Sequence, residues 1–196
     1  MEQNIILIAV GNAGCKILSK AKIKLSKLYL DTDPEDIKKY SDDRNNNENN
    51  KVFPVKNINA IRIGKKICGK FSALGNMILA QNAVEESREE IIERIQKYNR
   101  VIIVTSLGGG TSNGATKKLV ELCIELNKEV TVVCGLPFDI EGHRLEKANQ
   151  VYKQLEQVCE VKSVKYEGPD KIMSWGECQT LKDVEVLKLL YKVIVF

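Results

Sequence analysis

At two places in the chain an apolar run of strand length passes, directly or within three residues, into glycine and then into a helical pattern. The first is Ile5 to Val10 (IILIAV) followed by Gly11, behind which Ile17, Leu18, Ala21 and Leu25 recur at helical spacing. The second is Val101 to Thr105, followed by the turn Leu107-Gly108-Gly109-Gly110 and a helix over Ala115 to Asn127 that turns Leu119, Leu122, Cys123 and Leu126 inward. Strands with no polar alternation must be covered on both faces, as happens in parallel sheets whose crossover helices lie above and below. The rest of the chain keeps that rhythm. Lys27 to Leu30 is a strand stopped by the turn Asp31-Thr32-Asp33-Pro34, and Met77 to Tyr98 is one long amphipathic helix with Ala80, Val84, Ile91 and Ile95 in a stripe. Val130 to Gly135 repeats the strand and His143 to Val158 the helix; a tail over 161–196 adds a strand at Val161 to Tyr166 and a helix at Leu181 to Leu190. The expected fold is α/β, a three-layer Rossmann-like domain with a mostly parallel sheet. Its ligand site should lie beyond the carboxyl ends of the strands.

Length bounds the organisation: 196 residues suit one domain, 1–196, rather than a multidomain enzyme. Ser41 to Lys51 (SDDRNNNENNK) has no apolar residue and is expected to be a mobile surface loop. A net charge of +4, spread without a basic face, argues against nucleic acid as a partner. No stretch approaches the roughly 18 apolar residues of a membrane span, and the N-terminus does not read as a secretory signal. The expected location is cytoplasmic, with the six cysteines as reduced thiols, mostly small core residues. They form no C-x-x-C pair and only His143 could complete a metal set, so no metal site is expected. The apolar end, Val193 to Phe196, reads as packed core more than as an assembly surface.

Glycine between a buried strand and a helix lets the backbone turn tightly and approach a ligand, while the helix start offers unpaired N–H groups. Anions suit such a place. One helix dipole contributes only about 0.3 to 1 kcal/mol, so phosphate affinity needs donors converging from more than one loop. Gly11-Asn12-Ala13-Gly14-Cys15 is the weaker signal, a G-x-x-G without the third glycine of dinucleotide folds; Asp31 is either a ribose-binding acid or a turn residue. Gly108-Gly109-Gly110-Thr111-Ser112-Asn113-Gly114 is stronger, because three glycines followed by hydroxyl and amide side chains make a poor simple turn and a good cradle. No G-x-x-x-x-G-K-[ST] is present, and no acid–base set supports a nicotinamide-dependent dehydrogenase.

GGGTSNG at Gly108 to Gly114 resembles the GGGTG[ST]G signature of the FtsZ/tubulin family, and the likeness continues in order over roughly residues 4 to 160. VGNAGC at Val10 to Cys15 resembles the first phosphate loop of FtsZ, and Asp31-Thr32-Asp33 its N-T-D turn. Ile63 to Asn76 (IGKKICGKFSALGN) resembles the segment facing the γ-phosphate, Ala83 to Ile91 (AVEESREEI) the helix after it, and Pro137 to Gly142 (PFDIEG) the P-F-x-x-E-G that touches ribose. The resemblance implies GTP or GDP as ligand, with Mg held through the phosphates. It places Gly11, Asn12, Ala13, Gly14 and Cys15 at the α and β phosphates, Ala73, Leu74, Gly75 and Asn76 at the γ-phosphate, and Gly108, Gly109, Gly110, Thr111, Ser112, Asn113 and Gly114 around them. Pro137 and Glu141 would lie at the ribose; His143 stands where the family carries Arg or Lys and reads as a surface residue.

The chain also departs from the pattern. Lys16 replaces the family's nucleoside-contacting asparagine, and Tyr166 to Asp170 stands near the P-N-D segment without its asparagine. The positions expected for another base-reading asparagine and for a stacking aromatic fall near Lys188 and Val184. Guanine recognition would thus require a rebuilt base pocket. In FtsZ an acidic loop that completes a neighbour's hydrolytic site, and a second domain, follow the central helix; neither is in these 196 residues. The expectation is a nucleotide-controlled assembly or partner-binding module, joined by itself or another FtsZ-like subunit, with little or no hydrolysis by this chain alone and no catalytic residue of its own. The alternatives are a GTPase completed by another subunit and a structural module that has lost nucleotide.

Overall fold

The computed structural model describes residues 4–40, 58–165 and 173–195. The expected loop at 41–51 and the segment Tyr166 to Asp170 lie outside them. Among the described residues six strands, β1 (Ile5–Val10), β2 (Ser26–Asp31), β3 (Ile58–Arg62), β4 (Arg100–Ser106), β5 (Glu129–Gly135) and β6 (Glu160–Val164), form one sheet in the order β3-β2-β1-β4-β5-β6. Every pairing is parallel, so the expected α/β sheet is more regular than "mostly parallel". The apolar runs are indeed covered on both sides: each residue of β1 and of β4 is buried.

Alternation along the strands divides the core. Ile6, Ile8 and Val10 face α3 (Met77–Glu86), α4 (Arg88–Ile95), α5 (Gly110–Glu125) and α6 (His143–Glu156), while Leu7 and Ala9 face α1 (Gly11–Ser19), α2 (Pro34–Lys38) and α7 (Trp175–Val195). The predicted stripe Ala80, Val84, Ile91 and Ile95 is wholly buried, yet its helix is broken at Ser87. Ser87 accepts the Gly64 N–H on its hydroxyl, and Glu86 accepts the N–H groups of Lys66 and Ile67, so the break orders the 64–69 loop.

Three further boundaries differ from the sequence expectation. The helix α1 stops at Ser19, so Ala21 is buried beyond its end rather than on its face. α5 begins at Gly110, five residues before the expected start, because the glycine loop itself supplies the first turn. α7 runs from Trp175 to Val195, with Val186, Leu190 and Val193 buried and Val195 exposed, so the apolar end is only partly core.

Candidate functional site

Strand order reverses between β1 and β4, whose carboxyl ends lie side by side with Val10 opposite Thr105. Chains leaving these two strands diverge to opposite faces of the sheet and open a crevice between them. A crevice of about 430 Å³ occupies this place. Its floor and walls come from Gly11, Asn12 and Ala13 at the start of α1, Gly109, Gly110, Thr111 and Ser112 at the start of α5, and Ser72, Leu74 and Gly75 from the segment before α3.

Local chemistry explains how these ends are held. Gly11 has φ +75° and Gly108 φ +110°, a left-handed conformation that side chains disfavour. The Gly108 N–H donates to Asn113 Oδ1 at 2.8 Å and the Gly109 N–H to Ser112 Oγ at 3.1 Å. Side chains of the first turn thus cap the loop, leaving the first N–H groups of α5 without an intrahelical acceptor. Thr105 Oγ1 donates to Val10 O at 3.0 Å and ties the two junctions together.

Of the residues that the family resemblance places at the nucleotide, nine line the crevice: Gly11, Asn12, Ala13, Leu74, Gly75, Gly109, Gly110, Thr111 and Ser112. The others stand behind them. A Cβ on Gly14 would lie 2.5 Å from Val104 O, and one on Gly114 2.1 Å from Met77 O, so both glycines permit close backbone packing of α1 on β4 and of α5 on α3. Cys15 is buried against Leu30 O, and burial, with Asp31 nearby, pushes its thiol well above the ordinary range. Ala73 is buried, and Asn76 caps α3 by accepting the Leu79 N–H. Pro137 packs beside Gly108. Glu141 uses one carboxylate oxygen to accept the Phe138 N–H at 2.8 Å and the other to pair with Arg144 at 2.6 Å. His143 is exposed and faces Glu146.

Asp31, left open in the sequence between a ribose-binding acid and a turn residue, lines the crevice, as do Lys16 and Asp33; Asp36 and the lining residues of α7 were missed. Asp31, Asp33 and Asp36 crowd one side, and burial, reinforced by Asp36 and Asp33, pushes the Asp31 carboxyl up to about 6 despite the backbone N–H groups it accepts. At the opposite side α7 presents Gln179, Lys182 and Asp183, spaced for one helical face, to the crevice. The positions expected there are elsewhere: Lys188 is turned to Glu185, and Val184 does not line the crevice. Asp183, with its side chain 2% exposed, accepts from Gln179 Nε2 at 3.0 Å and lies 3.6 Å from Lys16 Nζ. Lys182 donates to Leu136 O at 3.3 Å and sits over the Phe138 ring, and burial lowers its pKa. A Lys-Asp pair on an otherwise apolar helix stripe was the signal available, since such residues are seldom buried without a task.

Three further observations define the surroundings. Arg144 reaches the crevice and donates Nε to Gly108 O at 3.2 Å. Among the described residues no group of three metal-ligating side chains converges, and no helix is long and apolar enough to cross a membrane. All six cysteines are unpaired thiols.

A parallel sheet whose two glycine junctions meet at its switch point is an open α/β domain with its crevice at the strand carboxyl ends. Residues 4–164 match the Tubulin/FtsZ family, GTPase domain, and the chain belongs to that family. Among curated proteins it is 38% identical over 109 residues to the cell division protein FtsZ of Helicobacter pylori, covering 55% of this chain and 27% of that protein. It is 28% identical over 148 residues to cell division protein FtsZ 1 of Thermococcus kodakarensis, covering 74% and 36%. Among solved structures, an empty FtsZ dimer from Methanocaldococcus jannaschii superposes with a TM-score of 0.80 at 23% identity, covering 95% of this chain and 53% of that one. A GTPγS-bound CetZ2 protofilament from Haloferax volcanii superposes at 0.72 and 17% identity, covering 94% and 56%. The fold expectation is borne out, and the chain spans about half the length of those solved structures.

Proposed function

We propose that this chain binds GTP or GDP in the crevice and that bound nucleotide governs its association with itself or with another FtsZ-like subunit in the cytoplasm, with little or no hydrolysis by the chain alone. One observation carries the reading: the N-termini of α1 and α5 converge at adjacent strand ends, where backbone N–H groups from two helices can share one polyphosphate. The crevice also has room where it is needed, since a Cβ on Gly109 would meet only Ser112 Oγ within 4 Å. Magnesium would be held through the phosphates. Membership of a GTPase-domain family and the GTPγS held by the similar CetZ2 protofilament support the same ligand class.

The base would extend toward α7. Guanine presents two neighbouring N–H donors on its pairing edge, and Asp183 is an acceptor-only group there; adenine would set a ring acceptor against that carboxylate. Lys16 can turn from Asp183 to the guanine carbonyl oxygen. In this reading the missing asparagines are replaced by a charged pair.

Chromatography of the supernatant from denatured protein, with thermal shifts in GTP, GDP and ATP, tests the ligand. Guanine nucleotide in the supernatant and a shift with GTP and GDP but not ATP is the expected result; no nucleotide and no shift would leave a structural module. Phosphate release should stay near zero across protein concentrations, whereas turnover rising with concentration would identify a GTPase completed by a second subunit.

A further inference from the structure

Thr32 is fully buried, so it cannot touch a ligand, yet its hydroxyl joins two walls of the crevice. Ala73 N–H donates to Thr32 Oγ1 at 3.0 Å, and Thr32 Oγ1 lies 2.8 Å from Thr111 Oγ1. An amide nitrogen can only donate, so Thr32 is an acceptor toward Ala73. Between the two hydroxyls one proton is shared, and its direction decides what Thr111 offers to the crevice. If Thr111 donated inward, its exposed face would be an oxygen lone pair, which repels phosphate. If Thr32 donates to Thr111, the Thr111 proton is left for the crevice.

We propose that Thr32 is a positioning residue that fixes Thr111 as a hydrogen-bond donor to the bound anion and links that donor to the segment before α3. The chain runs Ala73 N–H to Thr32 Oγ1–H to Thr111 Oγ1–H to a phosphate oxygen. Each bond polarises the next, so an anion at Thr111 strengthens the hold on Ala73. The held segment is unusual: Leu74 has φ +47° and Gly75 φ +81°, and Leu74 is 76% exposed at the crevice rim. Ligand occupancy is thereby transmitted to an apolar side chain on the outer surface. The same hydrogen bond explains why Ala73, which does not line the crevice, matters to it.

The inference rests on the nucleotide reading and is tested separately from it. GDP and GTP are titrated calorimetrically into the wild-type chain, Thr32→Val, Thr32→Ser, Thr111→Val and the double valine variant, with circular dichroism checking the fold. Thr32→Val and Thr111→Val should each weaken binding roughly ten-fold, as expected for a lost hydrogen bond to a charged group. The double variant should lose no more than either single one, and Thr32→Ser should stay within about two-fold of wild type, because the hydroxyl and not the methyl does the work. Wild-type affinity in Thr32→Val, or losses that multiply in the double variant, would overturn the relay while leaving nucleotide binding intact. A wild-type chain that binds neither nucleotide overturns both. Should Thr32→Val fail to fold, amide exchange at Ala73 in the native protein decides: GDP should slow it several-fold, and an unchanged rate rejects the relay.

Discussion

The two ends of the crevice are made of different materials. At the strand ends, Gly11 to Ala13 and Gly109 to Ser112 offer chiefly backbone N–H groups, with the Thr111 hydroxyl beside them; along α7 the lining comes from the side chains of Gln179, Lys182 and Asp183. Backbone donors are placed by local conformation, which a few neighbouring residues dictate. Side-chain donors and acceptors are placed by packing between distant segments, as when Lys16 meets Asp183. Phosphate-type chemistry can therefore persist while the chemistry of the far end is rebuilt.

The largest expected effect breaks the backbone end outright. Gly114→Ala would drive a Cβ to 2.1 Å from Met77 O, an atom of the α3 backbone that cannot swing aside, so α3 and α5 must separate. Thermal melting should show a loss of about 3 kcal/mol or more, and a melting temperature equal to wild type would show that the helices are not so closely packed. Gly109→Val separates site from scaffold. Its backbone is extended, at φ −94° and ψ 163°, and only Ser112 Oγ stands near, so the fold should survive while the branched side chain fills the crevice. Nucleotide affinity should fall on the order of a hundred-fold, about 3 kcal/mol, in a titration of a normally folded protein. Undiminished affinity there would remove the phosphates from this junction.

Asp31 offers a pH test of the acidic side. Its folded-state pKa, about 6, exceeds the ordinary carboxyl value of 3.8, so the fold prefers the neutral form. That preference stabilises the protein fully below the ordinary carboxyl range and is lost as pH rises through about 6. Asp31→Asn keeps an oxygen for the Asp33 N–H and should raise stability by on the order of 2 kcal/mol at pH 8, with the gain gone near pH 4. Melting curves across that range check it, and a pH-independent difference would contradict the assignment. The smallest effect sharpens the far end. Asp183→Ala should narrow the preference for GTP over ATP roughly ten-fold and leave GDP and GTP in the same ratio to one another, read by competition titration. An unaltered GTP-to-ATP preference would place the base elsewhere.

How much of this was legible in the sequence follows from the same contrast. The runs IILIAV and VIIVT read as doubly buried strands with glycine turns behind them, and the parallel sheet with its two glycine junctions follows from that pattern; Leu74 and Gly75 were placed at the crevice only through the family resemblance. The break at Ser87 was hidden because the apolar stripe continues unbroken through it, and the Gly64 N–H that meets the Ser87 hydroxyl comes from over twenty residues away. Gly14 and Gly114 looked like ligand positions because glycine meets two needs, close approach of a phosphate and close approach of another backbone, and only the neighbouring chain tells them apart.

By itself the sequence determined the elements, their order and the glycine junctions, since periodicity and backbone freedom act between residues a few positions apart. The tertiary structure decided which helix face α7 turns to the crevice, that Lys16 pairs with Asp183, and that buried Thr32 stands between Ala73 and Thr111. Those contacts join residues separated by up to 167 positions, and no local pattern records where two distant surfaces will meet.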